Sequence, residues 1–251
     1  MLCGACAMLA LWASVAAQSE TAVLLTTEYP PFSVAAAPDG GAFVAALRLA
    51  LQGTDWQLDV RTVPWARVPV ELARGGVDGV LICWPKDISQ LKLLPTQAFF
   101  ESRLGFFVRK VDGPVIDVTL ETLRGKTVGT VRGYAYPDML DAAGVVRAEV
   151  SSDLLNLKKL AIGRVDLAVL ERATGEYLLA TPDMTALRQR LVWKEPAFSL
   201  LPLYVGVVPD RPASGRLLAD INRGLEQLRR AGTLGELAKQ YRVDLPTNRG
   251  P

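Results

Sequence analysis

Hydrophobic and polar positions in the first third of the chain alternate between the period of strands and that of helices. Residues 23–25 form an apolar run typical of a short buried strand, and apolar residues recur at every second position over residues 58–62. A helix is predicted over residues 45–51. Pro64 begins another, which stops at a glycine pair before a buried strand over residues 77–82. This order predicts an α/β fold.

One piece of this pattern occurs twice. Residues 72–78 read Leu-Ala-Arg-Gly-Gly-Val-Asp, and residues 160–166 read Leu-Ala-Ile-Gly-Arg-Val-Asp. Each predicts a helix, a glycine stop and a buried strand, and such a short connection is typical of a parallel sheet. We therefore infer two similar α/β lobes, the alternative being a chance likeness of two common turns. Asp78 and Asp166 are expected to brace these turns rather than to touch a solute.

The remaining elements alternate in the same way. In chain order they are a strand at 104–108, a break at 110–114, a short helix at 120–126, a strand at 128–131 and a strand at 203–208. A long amphipathic helix follows, with one apolar side formed by Leu217, Leu218, Ile221, Leu225 and Leu228. We expect this helix to return to the first lobe.

The predicted fold class is α/β, with two doubly wound lobes, a hinge and an interlobe cleft. Lobe one comprises residues 22–109 and 198–243, and lobe two comprises residues 113–194. The chain is expected to cross between them near residues 110–112 and 195–197, which would form the hinge. Residues 244–251 are predicted to be a flexible tail.

Residues 1–17 predict a cleaved signal peptide. They carry no charge, are apolar from position 7 to position 13, and end in Ser-Val-Ala-Ala, which provides small residues for cleavage after Ala17. Signal peptides usually begin with a basic residue, and this segment has none, so a buried N-terminal helix is the alternative. A mis-assigned start codon would also explain the missing charge. No later segment has the apolar length of a membrane span. The predicted location is therefore the periplasm.

Composition excludes several kinds of chemistry. The chain has no histidine, which removes His-based triads and the commonest zinc ligand. Only Cys83 of the three cysteines would remain after cleavage, so neither an internal disulfide nor a cysteine metal cluster is expected. A net charge of +2, from 28 basic and 26 acidic residues, is spread without the basic stripe that nucleic acid requires. We expect no cofactor, no nucleic-acid partner and no catalysis.

Four motifs in this order resemble the bacterial extracellular solute-binding proteins of family 3, over nearly the whole mature chain. They lie at residues 28–32, 75–84, 123–134 and 163–171. The resemblance implies a type II periplasmic-binding-protein-like fold that closes over a small polar solute, such as an amino acid or a related amine or zwitterion. It also implies delivery to an inner-membrane ABC permease, and we expect a monomer.

The resemblance also implies the ligand contacts. Aromatic walls are expected at Tyr29, Trp65 and Trp84, capture of an anionic group at the turn Arg132, Gly133 and Tyr134, and amine binding at Glu171. Each residue has a structural alternative: packing of the rings in the core, and surface exposure or surface ion pairs for Arg132 and Glu171. Phe32 is expected in the core.

One departure from the family stands out. Amino-acid binders of this family carry a Ser/Thr pair and an arginine after the third strand, and this chain has no arginine over residues 83–92, where Lys86 and Lys92 are the cations. A lysine is a point charge and lacks the planar fork that grips a carboxylate. An ordinary α-amino acid ligand is therefore in doubt. The alternative functions are a periplasmic dehydratase with Glu171 as its acid and a stand-alone ligand-sensing module.

Overall fold

The computed structural model describes residues 19–110, 118–119 and 121–247 of the chain. Its strands are β1 (Glu20–Thr26), β2 (Trp56–Thr62), β3 (Gly79–Cys83), β4 (Leu94–Pro95), β5 (Phe100–Arg109), β6 (Thr127–Val131), β7 (Val146–Val150), β8 (Leu167–Glu171) and β9 (Leu191–Val207). Its α-helices are α1 (Ala42–Ala50), α2 (Val68–Arg74), α3 (Pro85–Gln90), α4 (Asp138–Ala142), α5 (Asp153–Ala161), α6 (Arg172–Ala180), α7 (Ser214–Arg230) and α8 (Thr233–Tyr241).

The strands form two α/β lobes, as the hydrophobic pattern predicts. In spatial order they run β2-β1-β3-β9-β5-β8-β6-β7, with β4 beside β9. Strand β1 pairs in parallel with β2 and β3, and β6 pairs in parallel with β7 and β8, so each lobe has the same central arrangement. The long strand β9 joins the lobes, because its last residues pair with β3 and the rest pairs with β5.

The passage between the lobes differs from the predicted hinge. Residues 104–108 of β5 pair with β8, so they lie in the sheet of lobe two, whereas the pattern alone placed them in lobe one. Residues 195–197 lie inside β9, at a place where its pairing with β5 shifts between Lys194 and Ser199, and both flanking stretches pair with β5. The chain therefore changes sheets near the start of β5 and again near Leu203, since that residue pairs with Phe100.

The predicted helix over residues 120–126 was wrong in its described part. Residues 121–125 form a turn that leads into β6. The Thr119 and Thr122 side chains each accept a hydrogen bond from the other residue's backbone N–H. Such local bonds offer the backbone an alternative to helix, and Gly125, at φ 73°, ends the turn.

The repeated motif has the same structural role in both lobes. The carboxylate of Asp78 accepts a hydrogen bond from the Val23 N–H, and that of Asp166 accepts one from the Thr127 N–H, each at 2.8 Å. In each case the Asp side chain ties the turn to the first strand of its lobe. The prediction that these acids brace the turn is confirmed.

The amphipathic helix α7 returns to lobe one, as predicted. Its residues Leu217, Ile221 and Leu225 are buried in the same core as Phe43 and Leu47 of α1. The two helices touch at Gly224, where a Cβ atom would lie 1.7 Å from the Ala50 carbonyl oxygen. Only glycine fits so close to a neighbouring backbone.

The two ends of the chain are described only in part. The predicted signal peptide, residues 1–17, and the last tail residues, 248–251, lie outside the described residues. The described part of the tail is tied down: Thr247 donates hydrogen bonds from its N–H and its hydroxyl to Glu101, and Asp244 forms an isolated bridge with the same residue. No helix within residues 19–247, as far as they are described, has the length and apolarity needed to cross a bilayer.

Candidate ligand-binding site

The carboxyl end of β3 provides part of the interlobe site. The pairing of β3 with β9 shifts between Leu81 and Cys83, and Ile82 between them has φ 63°. A β-branched residue is strained in this conformation, which is found where a bulge re-aims a strand. Beyond the bulge, Trp84 precedes helix α3 and Asp87 lies in its first turn. Ile82, Trp84 and Asp87 all line one cavity.

Two further rings of lobe one reach this cavity from the loops after β1 and β2. Tyr29 follows β1 and stacks on the buried Phe32, with ring centres 5.7 Å apart. Trp65 lies in a 3-10 turn after Pro64 and packs with Leu25 and Val68. Both rings are therefore held by the core of lobe one, and Phe32 is a core residue, as predicted.

Tyr134 of lobe two inserts between these rings. Its ring meets Tyr29, Trp65 and Trp84 edge to face, with centre-to-centre distances of 6.1, 6.2 and 5.7 Å. Its hydroxyl donates a hydrogen bond of 3.2 Å to Asp153. We call these four rings the aromatic cage. With Tyr134 in place, the cavity that they leave measures about 20 Å³, roughly the space of one water molecule.

The lobes touch on either side of the cage. A Cβ atom at Gly133, whose φ is 85°, would lie 3.0 Å from the Cα atom of Ala66 in lobe one. Lys86 of lobe one forms an ion pair with Asp138 and donates a hydrogen bond to the Tyr136 carbonyl oxygen, both in lobe two. The described conformation is therefore closed, and a solute larger than water can enter only if the lobes separate or Tyr134 moves.

Three buried carboxyl groups surround the cage. Burial raises the pKa of Asp87, Asp153 and Glu171 to about 7 each. Hydrogen bonds act in the opposite direction, from the Trp84 N–H to Asp87, from the Tyr134 hydroxyl to Asp153, and from the Thr174 N–H to Glu171. Burial is the larger effect in all three cases, because a charged carboxylate loses its hydration.

The tyrosine hydroxyls respond to the same surroundings. Burial raises the pKa of Tyr29 and Tyr134 well above the ordinary value, and negative charge on Asp153 raises both further. Glu171 adds to the effect on Tyr29. Tyr29 of lobe one is thus electrostatically coupled to two acids of lobe two, and the tyrosines remain neutral hydrogen-bonding groups near neutral pH.

Of the seven residues expected to bind ligand, four line the cavity, Gly133 precedes one of them in the chain, and Arg132 and Glu171 do not line it. Tyr29, Trp65, Trp84 and Tyr134 line the cavity, and Gly133 is next to it. The Arg132 side chain is 66% exposed and lies 3.7 Å from Glu149. Glu171 is buried, but it caps α6 and is not among the residues that line the cavity.

The turn after β6 is not arranged as an anion site. Helix α4 begins only at Asp138, five residues beyond Gly133. The Arg132 N–H donates to the Val150 carbonyl oxygen, and the Tyr134 N–H donates to the Val131 carbonyl oxygen. These two N–H groups are therefore already used, and the turn does not lie at the N-terminus of α4.

Asp87 and Asp153 are site residues that reasoning from sequence missed. Each lies in the first turn of a helix. In the sequence, each belongs to a polar segment of the kind that is usually exposed to solvent. The sequence did contain a signal for Asp87. The segment Trp84-Pro85-Lys86-Asp87 places an acid at the third helical position, where its carboxylate accepts a hydrogen bond from the backbone N–H of Trp84. That bond draws the carboxylate toward the ring.

A second concavity is larger but does not have these features. It measures about 1080 Å³ and is bordered by β9, α7 and residues 245–247. Its lining residue Arg229 already bonds to Gln97 and to the Ala98 carbonyl oxygen. Within the described ranges, no group of three or more acidic or cysteine side chains could hold a metal ion.

Comparison with solved structures settles the fold. A histidine kinase sensor domain with similarity to periplasmic binding proteins superposes with a TM-score of 0.77, at 22% identity over 91% of this chain and 99% of the other. The fold is periplasmic-binding-protein-like. A mutant of ArgBP from T. maritima matches with a TM-score of 0.70, at 21% identity over 88% of this chain and 94% of its own.

A third match is a substrate-binding protein of an ABC uptake transporter from Streptococcus pneumoniae with bound histidine. Its TM-score is 0.72, at 16% identity over 88% of this chain and 92% of its own. No family model and no curated protein matches the sequence. At these identities the likeness establishes the fold, and the function has to be argued from the site.

Proposed function

We propose that this protein captures a small solute between its two lobes without transforming it. The observation that carries the proposal is the aromatic cage, because its rings come from both lobes and meet only when the lobes are closed. Rings held by the core offer a large contact area at little cost in side-chain entropy. Solute binding would then be linked to closure, as in hinged two-lobed proteins.

Tyr134 explains how the site can work with so small a cavity. Its edge-to-face contacts fill the space between Tyr29, Trp65 and Trp84. When the lobes separate, the three rings of lobe one are uncovered as an apolar surface. A solute that lies on this surface then takes part of the place of Tyr134, and closure covers it from the side of lobe two.

The proposed setting is the periplasm, with an inner-membrane ABC permease as the partner that receives the solute. This part of the proposal rests on the signal peptide predicted over residues 1–17 and on the binding roles named for several solved structures of this fold. A permease partner requires the closed form to be the recognised one. Uptake of the solute should therefore fall in cells that lack this protein.

Sensing is a second candidate. The observation in its favour is the match to a histidine kinase sensor domain, which extends over 99% of that chain. A sensor would leave uptake of the solute unchanged when deleted, while the transcription response to the solute would be lost. The dehydratase alternative gains no support from geometry, because Glu171 is not among the cavity-lining residues.

A solute screen followed by one pair of variants tests the proposal. Amino acids, amines, small peptides and organic acids are screened by thermal shift, since a ligand that binds only the native state raises its melting temperature. For a compound found this way, Trp65→Ala should weaken binding by about a hundredfold, the loss expected of a buried aromatic anchor. Trp65→Phe, which keeps a ring in the cage, should weaken binding much less.

Small-angle scattering provides the second readout. The radius of gyration of the wild-type protein should decrease when the solute is added, because binding favours the closed form. A compound that binds with equal affinity to wild type and to Trp65→Ala would place the site elsewhere and refute the proposal. So would a complete absence of binding across the screen.

A further inference from the structure

Among the cavity-lining residues, one carries a formal charge, and its sign is negative. The lining consists of Thr27, Tyr29, Trp65, Ile82, Trp84, Asp87 and Tyr134. Asp87 is 4% exposed and accepts a hydrogen bond of 2.9 Å from the Trp84 N–H. It stands in the segment after the third strand, where an arginine would be required to grip a carboxylate. The charge at this point is therefore opposite to that needed for an anionic solute.

The two described cations near this site, Lys86 and Arg147, already have acidic partners. Lys86 pairs with Asp138 across the lobes. The Arg147 guanidinium lies 5.4 Å from the centre of the Tyr136 ring and bonds to Asp141 at 2.9 Å. Neither residue lines the cavity, and no ion pair among the described residues involves Asp87 or Asp153. The Lys86 charge favours the ionised form of Asp87, but burial of that carboxyl is the larger effect. Buried acids without a cationic partner are costly, and a cationic solute would supply that partner.

Buried polar atoms on both sides of the cage have no hydrogen-bond partner within the described residues. Asp153 is 5% exposed, and while its Oδ2 atom accepts from Tyr134, its Oδ1 atom has no hydrogen-bond partner. The Tyr29 hydroxyl lies near Ser102, yet neither hydroxyl forms a bond of acceptable geometry within the described residues. Buried polar atoms of this kind are normally satisfied, and a ligand with N–H donors satisfies them.

From these observations we infer that the solute is a small organic cation, whose charged nitrogen lies within the aromatic cage against Asp87 and donates toward Asp153. This inference rests on the proposed function and names its substrate class. Aromatic faces attract ammonium and guanidinium groups through their quadrupole, and the attraction is strongest where water is excluded. A carboxylate on the solute is not required, so an amine should bind as well as, or better than, the amino acid with the same carbon skeleton.

The first test uses the wild-type protein alone. Calorimetry is performed with butylamine, putrescine and choline as cationic probes, and with butanol, butanoate and norvaline as neutral, anionic and zwitterionic counterparts. The cations should bind at least about tenfold more tightly than their counterparts, the effect of one charge-assisted contact. Tighter binding of norvaline or butanoate than of every cation would overturn the inference while leaving the proposed function intact.

The second test compares two isosteric variants. Asp87→Asn keeps an oxygen that can accept from the Trp84 N–H and so keeps the helix cap, but it removes the charge. It should weaken binding of the best cation by about tenfold or more. Asp220→Asn is the matched control, because Asp220 is also buried in lobe one and also accepts a bond from a tryptophan, Trp56, outside the cleft. Its affinity for the cation should equal that of wild type.

The outcomes separate the inference from the proposed function. Unchanged affinity in Asp87→Asn, or equal losses in Asp87→Asn and Asp220→Asn, would overturn the role of Asp87. Binding of any non-cationic solute with loss in Trp65→Ala, but no binding of cations, would overturn the inference and keep the proposed function. If no solute of any charge binds, both fail.

Discussion

The two lobes share one architecture but bring different groups to the cleft. Both have a parallel three-stranded centre whose first strand is tied to the repeated turn by an aspartate, Asp78 in lobe one and Asp166 in lobe two. At the strand ends, lobe one presents rings packed on its core and one buried acid, Asp87. Lobe two presents acids and hydroxyls, several of them without partners.

This difference shows which groups of each lobe are available to contact a solute. The rings of lobe one are held by packing whether or not a solute is present, although the Tyr29 hydroxyl has no hydrogen-bond partner within the described residues. In lobe two, the Ser102 and Thr130 hydroxyls and the Oδ1 atom of Asp153 are buried without a hydrogen-bond partner within the described residues. We therefore regard lobe one as the surface on which the solute lies. Lobe two is the side whose buried polar groups gain hydrogen bonds when the lobes close over a polar solute.

The largest expected effect is on pH-dependent stability. The pKa of Asp87, Asp153 and Glu171 is raised to about 7 in the folded protein, against about 4 in the unfolded chain. Between these values the folded state holds more protons than the unfolded state, so stability is greatest below about pH 4 for these groups and falls as pH rises through about 7. The loss should be at least about 1 kcal/mol per group.

Denaturant unfolding of the ligand-free protein from about pH 5 to about pH 8 measures this loss. The triple variant Asp87→Asn, Asp153→Asn, Glu171→Gln should have a flatter profile, because it cannot release these protons. A free energy of unfolding that rises over this range in wild type, or an equal slope in the variant, would contradict the assignment of buried acids to both sides of the cleft.

Removing the two braces compares the lobes directly. Asp78→Ala should cost about 1–2 kcal/mol of unfolding free energy, because the Val23 N–H in the first strand of lobe one loses its acceptor. Asp166→Ala should cost less than about 1 kcal/mol, because water can replace the lost acceptor at this exposed bond to Thr127. Chemical denaturation of both variants measures the two costs. A larger cost for Asp166→Ala than for Asp78→Ala would contradict the argument that the more exposed bond contributes less.

The smallest expected effect is an increase in the stability of the ligand-free protein. Thr130 at the end of β6 is fully buried and its hydroxyl has no partner, so Thr130→Val should stabilise the ligand-free protein by about 1 kcal/mol. Thr26 ends β1 at a similar place in lobe one, but its hydroxyl donates to the Thr27 carbonyl oxygen. Thr26→Val should therefore give no gain. Melting temperatures of the two variants check this contrast, and a gain in both or in neither would remove the distinction between the lobes.

The resemblance to family 3 predicts three rings of the cage, Tyr29, Trp65 and Trp84, but it assigns Tyr134 to an anion-binding turn. Tyr29 comes after β1 and Trp84 after β3, and the carboxyl ends of parallel strands meet at one edge. The course of β9 could not be predicted, because Lys194-Glu195-Pro196 has the composition of a break, and only pairing with β5 shows that the strand continues. Proline within a strand normally argues against the strand.

The contacts of the buried acids Glu171 and Asp153 could not be predicted from the sequence pattern either. Glu171 was expected in the site because it ends a strand, but its side chain turns to cap α6, and a cap cannot be distinguished from a ligand contact in one dimension. Asp153 follows Ser152, which is itself the side-chain cap of α5, so the pattern indicates a helix start and nothing more. Its contact with Tyr134 comes from another element and is visible only in the fold.

The most direct measurement for the account as a whole is a crystal structure with the solute identified by the screen. We expect the solute between the lobes, in contact with Trp65 and Trp84 on one side and with Tyr134 or Asp153 on the other, and with Tyr134 displaced from the centre of the cage. A solute bound to one lobe alone, or in the large concavity beside Arg229, would contradict the claim that the aromatic cage is the capture site.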